Sequence, residues 1–241
     1  MTSSQPTADA LPRTETAPLV WDLPVRIFHW GLLASIVAAF VTNKLGVKFF
    51  WAHAFAGYTA LVLTAFRILW GFVGTRHALF SDFLRGPAAV LAYAKSLGRP
   101  DGPHYVGHNP LGAAMVLFLL AGVLAQAATG LFSNDEIFNT GPLAGYVGKE
   151  LGLALTSFHR RFFYVLLGAI ALHALAVAAH RIFRRENLVA AMISGRKPDA
   201  PAQEGIDGSR LWLAAPLVAA LAALLWWVIA HAPHAAADGE F

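Results

Sequence analysis

The sequence predicts an all-α fold, an integral membrane helical bundle with five transmembrane helices, and three observations carry that prediction. Of the 241 residues, 57% are hydrophobic and only 13% are charged, the composition of a chain whose solvent is largely lipid. Five stretches are each apolar over the roughly 20 residues that a bilayer's hydrocarbon layer requires of a helix. Because lipid offers backbone groups no hydrogen-bond partners, such spans close their hydrogen bonds internally as helices.

In chain order the spans cover Ile27–Leu45, Trp51–Phe72, Leu111–Phe132, Phe158–Phe183 and Leu211–Ala230. Residues 1–19 are polar and rich in Pro, Thr and Ala. They lack the basic start and short apolar core of a secretory signal, and read as a disordered tail kept in the mature protein. Residues 20–193 hold the first four spans as one domain, residues 194–210 form a hydrophilic linker, and residues 231–241 form a tail after the fifth span. Phe80–Leu97 alternates apolar and basic positions around a Gly-Pro, which suits either a short amphipathic surface helix or a plain loop. The loop Phe132–Ser157 starts with turn residues and then becomes apolar enough to extend the fourth helix backwards.

With five spans, alternate loops share a side. Twelve lysines and arginines lie on the side of the N-terminal tail and the loops 73–110 and 184–210, against five on the other, with Arg67 inside a span. This bias places the N-terminus in the cytoplasm and the C-terminus outside. The net charge of +4 is therefore a topology signal, and nothing in the chain resembles a nucleic-acid module. The absence of cysteine excludes disulfides, thiolate metal sites and covalent haem attachment through C-x-x-C-H.

Histidines interrupt this apolar pattern. His159 and His173 are fourteen residues apart in the fourth span, nearly four helical turns, so both rings leave one face about 21 Å apart along the axis. His29 lies near the cytoplasmic start of the first span and His53 near the outer start of the second. Each depth thus has two histidines: His29 with His173 in the inner half, His53 with His159 in the outer half. Neutral imidazoles facing each other across a bundle can fill both axial positions of a haem iron, so the pattern predicts two stacked, non-covalent b-type haems. Ordinary interhelical hydrogen bonding would explain one membrane histidine, but not four at matching depths. Two pairs about 20 Å apart cannot form a single tetrahedral zinc or copper site.

The remaining histidines read more plainly. His180 shares the His173 face but adjoins Arg181 at the interface, where a snorkelling side chain is expected. His77, His104 and His108 lie in the cytoplasmic loop and His231 and His234 in the outer tail. A loop metal site from His104 and His108 lacks further ligands. Haem propionates need cationic partners, and Arg26, Arg67 and Arg160, with Arg161, stand near the two levels. Arg67 is the most informative because it lies within a span, whereas interface anchoring accounts equally well for Arg26 and Arg161.

The ordered set VWDLPVRIFHWG, WAHAFAGY followed by FRILWGFVG, GHNPLGAAMV leading to TGLF, and H-x13-H in the fourth span resembles the bacterial cytochrome b561 family. That family includes the b-type subunit of nickel-iron hydrogenases. The resemblance runs from about Val20 to Ile193 and implies a four-helix core holding two haems b through His29, His53, His159 and His173. The fifth helix and its linker extend beyond that core.

Bis-histidine ligation leaves no open coordination position, so the expected function is electron transfer rather than oxygen activation. The expectation is a transmembrane wire in a bacterial inner membrane, linking the quinone pool to a periplasmic redox partner such as a c-type cytochrome. Asp135 and Glu136 in the outer loop are a candidate docking surface, with a solvated turn as the plain alternative. Two other readings stay open: a membrane anchor for a hydrogenase-like complex, and a haem-free transporter or scaffold. The spans contain no Asp or Glu, which a proton relay through them would usually use. Quinol oxidation or quinone reduction within the protein would make it an enzyme.

Overall fold

The first helix begins at Leu23, four residues before its apolar run, because Asp22 caps it. The Asp22 carboxylate accepts from the Val25 N–H at 2.7 Å, and Pro24 occupies the first turn, where a missing N–H costs nothing. The computed structural model describes residues 17–97, 103–137 and 139–233. The predicted tail up to residue 16, and the outer tail from residue 234 with His234, lie outside these.

Among the described residues eight α-helices follow one another: α1 (Leu23–Lys44), α2 (Phe50–Val73), α3 (Phe80–Phe83), α4 (Pro87–Ser96), α5 (Pro110–Leu131), α6 (Lys149–Ala179), α7 (Leu188–Ser194) and α8 (Leu211–Ala230). Five helices are long and apolar enough to cross a membrane, α1, α2, α5, α6 and α8. No β-strand occurs among the described residues. Asn109 caps α5 as Asp22 caps α1, its side chain accepting from the Gly112 N–H at 2.8 Å. The fourth span starts earlier than its most apolar run, at Lys149, and passes after Ala179 into a π-helical turn over His180–Arg184. Phe80–Leu97 resolves into the two short helices α3 and α4 rather than one amphipathic helix.

The helices pack α1 on α2, α2 on α5 and α8, and α5 on α6. Gly122 permits the last of these, since a Cβ there would stand 2.6 Å from Leu166 Cδ2. The outer surfaces of α6 and α8 carry large apolar residues such as Leu172, Leu175 and Trp226, as surfaces solvated by lipid do.

The larger core cluster, with Val20, Trp21, Phe66 and Trp70, lies at the end of the bundle that bears most of the basic residues. Asp22 stands within it at 1% exposure. Besides capping α1, it accepts from Trp70 Nε1 at 2.9 Å and from the Thr75 hydroxyl, tying the start of α1 to the end of α2. The predicted linker is a strap across this end. Gly195 O accepts from Val20 N and Trp21 N at 2.8 and 3.0 Å, and Ile206 N donates to Leu19 O at 2.8 Å. Arg210 Nη1 donates to Gly74 O at 3.0 Å, and His77 Nε2 meets Glu204 O at 2.7 Å. His77, expected in a loop, is 2% exposed. His108 packs between Trp21 and Phe83, with ring centres 4.9 and 4.6 Å away.

Two outcomes follow from this end of the molecule. Asp22→Asn turns an amide N–H towards the Trp70 and Thr75 donors and removes the negative charge. It should cost about 2–4 kcal/mol, read as a lower thermal midpoint in detergent. Burial, together with Arg67, His173, His77 and Lys197, holds the His108 ring down to about 3 against an ordinary 6.5. Between those values the unfolded chain binds the proton that the folded chain refuses, so stability should fall as pH drops from about 6.5 towards 3, by at most about 1.4 kcal/mol per unit from this group. Melts of the His108→Gln variant should be less sensitive to acid over the same range.

Candidate functional site

Four histidines on three helices face one another in two pairs. His29 on α1 faces His173 on α6 with ring centres 6.4 Å apart, and His53 on α2 faces His159 on α6 at 6.2 Å. An imidazole nitrogen binds a first-row metal at about 2 Å and the ring centre lies about 1.1 Å behind it, so two trans imidazoles on one ion have centres about 6.2 Å apart. A direct hydrogen bond between the rings, with nitrogens about 2.9 Å apart, would bring the centres to about 5 Å. Both observed separations match the metal-bridged value. The interplanar angles of 55° and 83° do not conflict with it, because rings sharing an axial ion can rotate about their common axis.

The outer pair is held from behind. His53 Nδ1 meets Ala39 O at 2.8 Å and His159 Nδ1 meets Gln126 O at 2.8 Å. In each case a backbone carbonyl requires the proton on Nδ1, leaving Nε2 as the bare nitrogen that a metal needs. Gln126 grips His159 a second time, its side-chain amide donating to His159 O at 2.9 Å. Gly130 leaves room for the ring, because a Cβ there would lie 2.9 Å from His159 Cε1. Gly57, one turn after His53, has nothing within 4 Å of the place a Cβ would take.

The inner pair is held differently. His29 stands edge-on to Trp30 with ring centres 5.0 Å apart, and its buried Nδ1 has no hydrogen-bond partner. The donor set of both pairs, two imidazoles and no thiolate or carboxylate, suits a haem iron better than a structural zinc. Among the described residues no group of three or more His, Asp or Glu side chains could hold a metal ion, which covers the loop site considered for His104 and His108.

The arginines separate. Arg67 is 2% exposed, lies over the Phe80 and Phe83 rings at 5.5 and 5.9 Å, and has a buried Nη1 without a partner. Arg26 is engaged elsewhere, its guanidinium donating to Ile193 O at the end of α7. Arg160 is exposed beside His159. Gly130 was expected from the sequence to permit such close approach, whereas Gln126 and Thr129 were not singled out. Their signal was available, since a Gln and a Thr three residues apart in an apolar span mark one helix face, and Thr129 Oγ1 comes within 3.4 Å of His159 Nδ1. Ala39 left no signal, because its contribution is a carbonyl.

A model of the family described as prokaryotic cytochrome b561 matches residues 20–195, nearly the range of the resemblance and short of most of the strap and of α8. A probable Ni/Fe-hydrogenase B-type cytochrome subunit from Azotobacter chroococcum mcd 1 is 27% identical over 216 residues, covering 76% of this chain and 89% of that protein. Its counterpart from Rhodobacter capsulatus is 28% identical over 225 residues, covering 77% and 83%. No solved structure matches the chain significantly. Five apolar helices, paired histidines on their inner faces and a family match across most of the chain lead to one conclusion: this multi-pass membrane protein belongs to the prokaryotic cytochrome b561 family, whose b-type haem makes it a membrane electron-transfer protein.

Proposed function

We propose that the protein carries electrons across a bacterial inner membrane through two haems b, one ligated by His29 and His173 and the other by His53 and His159. The observation that carries this reading is the pair of ring-centre separations, 6.4 and 6.2 Å, each the span of two imidazoles on one ion. Bound there, the haems would supply one-electron exchange without an open coordination position. The chain's own part is to hold neutral imidazoles at two depths, exclude water with apolar walls and offer cations to the propionates. Arg67 is the best placed of these, a buried cation with an unused donor. Arg160 is the corresponding residue at the outer level, and Arg26 contributes less because Ile193 O already holds it.

One end of the path is the quinone pool and the other a redox partner on the outer face, with the basic, strap-bearing end in the cytoplasm according to its charge. A periplasmic c-type cytochrome fits that role. A second reading makes the partner a hydrogenase-like catalytic subunit, and it is favoured by the relatives named Ni/Fe-hydrogenase B-type cytochrome subunits at 26–28% identity.

A pyridine haemochrome assay with a protein determination should give two haems b per chain, and one or none would defeat the four-histidine assignment. His173→Ala should lower the ratio towards one, with the outer haem retained. Gly130→Val should instead loosen the outer haem by pushing the His159 ring aside, leaving the inner one in place. Co-purification with a large nickel-iron subunit, as opposed to a small c-type cytochrome, decides between the two partners.

A further inference from the structure

Two buried side-chain nitrogens on the basic-end side of the inner histidine pair have no hydrogen-bond partner, Arg67 Nη1 and His108 Nδ1. Arg67 stands fourteen residues after His53 on α2, the same spacing that separates His159 from His173 on α6. Fourteen residues are nearly four turns, or about 21 Å. Both helices run towards the basic end, and His53 faces His159. Arg67 therefore stands at the depth of His173, on the face of α2 that bears His53. At that depth α1 supplies the second histidine, His29, and α2 supplies a cation. The Arg67 guanidinium lies 5.9 Å from the centre of the Phe83 ring. His108, just before the cap of α5, packs on the same ring with centres 4.6 Å apart.

The carboxylates of this end are engaged elsewhere. Asp22 accepts from Val25 N, Trp70 Nε1 and the Thr75 hydroxyl, and its charge attracts Arg67 without a hydrogen bond. Asp82 and Glu204 pair with Arg76, and Glu186 meets His104. The groups that act on the His108 ring are Arg67, His173, His77 and Lys197, none of them acidic. Burial, the largest influence on that ring, keeps it neutral. One ring nitrogen then bears a proton, and an acceptor beside Nδ1 would place it there. A buried donor left without an acceptor costs about 1–3 kcal/mol, and more when it is charged. A guanidinium and an imidazole N–H against one aromatic ring match the two oxygens of a carboxylate.

We infer that Arg67 and His108 together hold a propionate of the inner haem, Arg67 as its ion-pair partner and His108 as a neutral N–H donor. The propionate edge of that haem is thereby turned towards the basic end. The inference rests on the reading that His29 and His173 ligate a haem, and it adds His108 to the residues that position it. A quinone carbonyl is also an acceptor, but it brings no charge to the guanidinium.

Haem content is measured first, and the inner haem's signals are those that His173→Ala removes. The propionate bending band of its resonance Raman spectrum responds to hydrogen bonds at the carboxylate. That band should shift in His108→Phe, which keeps an aromatic ring between Trp21 and Phe83 but has no donor. It should return towards its original position in His108→Asn, whose side-chain amide offers an N–H near the place of Nδ1. Arg67→Met should shift the same band and move the inner haem's reduction equilibrium at least tenfold towards the oxidised form, about 59 mV for one electron. The sign follows because an arriving electron loses a nearby positive charge. The outer haem's band and midpoint should stay as they were. If Arg67→Met loses the inner haem, Arg67→Lys, which keeps the charge without the forked donor, supplies the band. An inner-haem band unmoved in both the His108→Phe and the Arg67 variant, with haem retained, overturns the inference. Loss of reduction by a quinol analogue in those variants, with the band still unmoved, would assign the two donors to a quinone instead. Unaltered protein without an inner haem defeats the ligand reading itself, which separates that failure from failure of the propionate clamp.

Discussion

The arrangement of the bundle depends on one buried carboxylate. Asp22, at 1% exposure, is the N-cap of α1, the acceptor for the Trp70 indole near the end of α2, and the acceptor for the Thr75 hydroxyl just beyond it. Its charge also attracts the buried Arg67 guanidinium. A carboxylate removed from water must recover its lost hydration from fixed partners, and these partners come from both helices. The angle and depth of α1 against α2 are thereby set, and with them the distance at which His29 and His53 face α6. The motif W-D-L-P owes its importance to this, since each residue of Trp21–Pro24 either packs into the basic-end core or starts the helix.

The two histidine pairs share a spacing but are supported differently. At the outer level both Nδ1 atoms meet backbone carbonyls at 2.8 Å, so the rings are oriented by groups that side-chain substitution cannot remove. At the inner level His29 Nδ1 is buried without a hydrogen-bond partner. The outer rings are thus fixed by main-chain acceptors, whereas the inner pair depends on packing against Trp30 and its surroundings.

The strap and α8 lie largely beyond the residues matched by the family model, yet they are integral to the basic end. Through Gly195, Ile206, Glu204 and Arg210 the strap supplies partners to backbone and side chains at the ends of α1 and α2. Polar groups that would otherwise need water at a membrane surface are satisfied within the chain. An extension of the four-helix core thus became part of its closure, and α8 follows because the strap delivers it against α2.

What the sequence by itself determined is what depends on composition and period. Five apolar runs required five helices, and the fifth run has the bounds of α8 residue for residue. The fourteen-residue spacing of His159 and His173 fixed a shared face, and the depths of His29 and His53 set one opposite each of them, because helical rise and bilayer thickness are constants independent of packing. The start of α1 at Leu23, ahead of the apolar run from Ile27, comes from a cap, Asp22, that a count of apolar residues does not register. The tertiary structure alone decided the rest. That residues 195–210 are a strap, that His77 and His108 are enclosed, that Arg26 serves α7, and that Glu186 meets His104 all depend on backbone carbonyls and contacts distant in sequence. Such partners carry no residue identity of their own, so no pattern along the chain announces them.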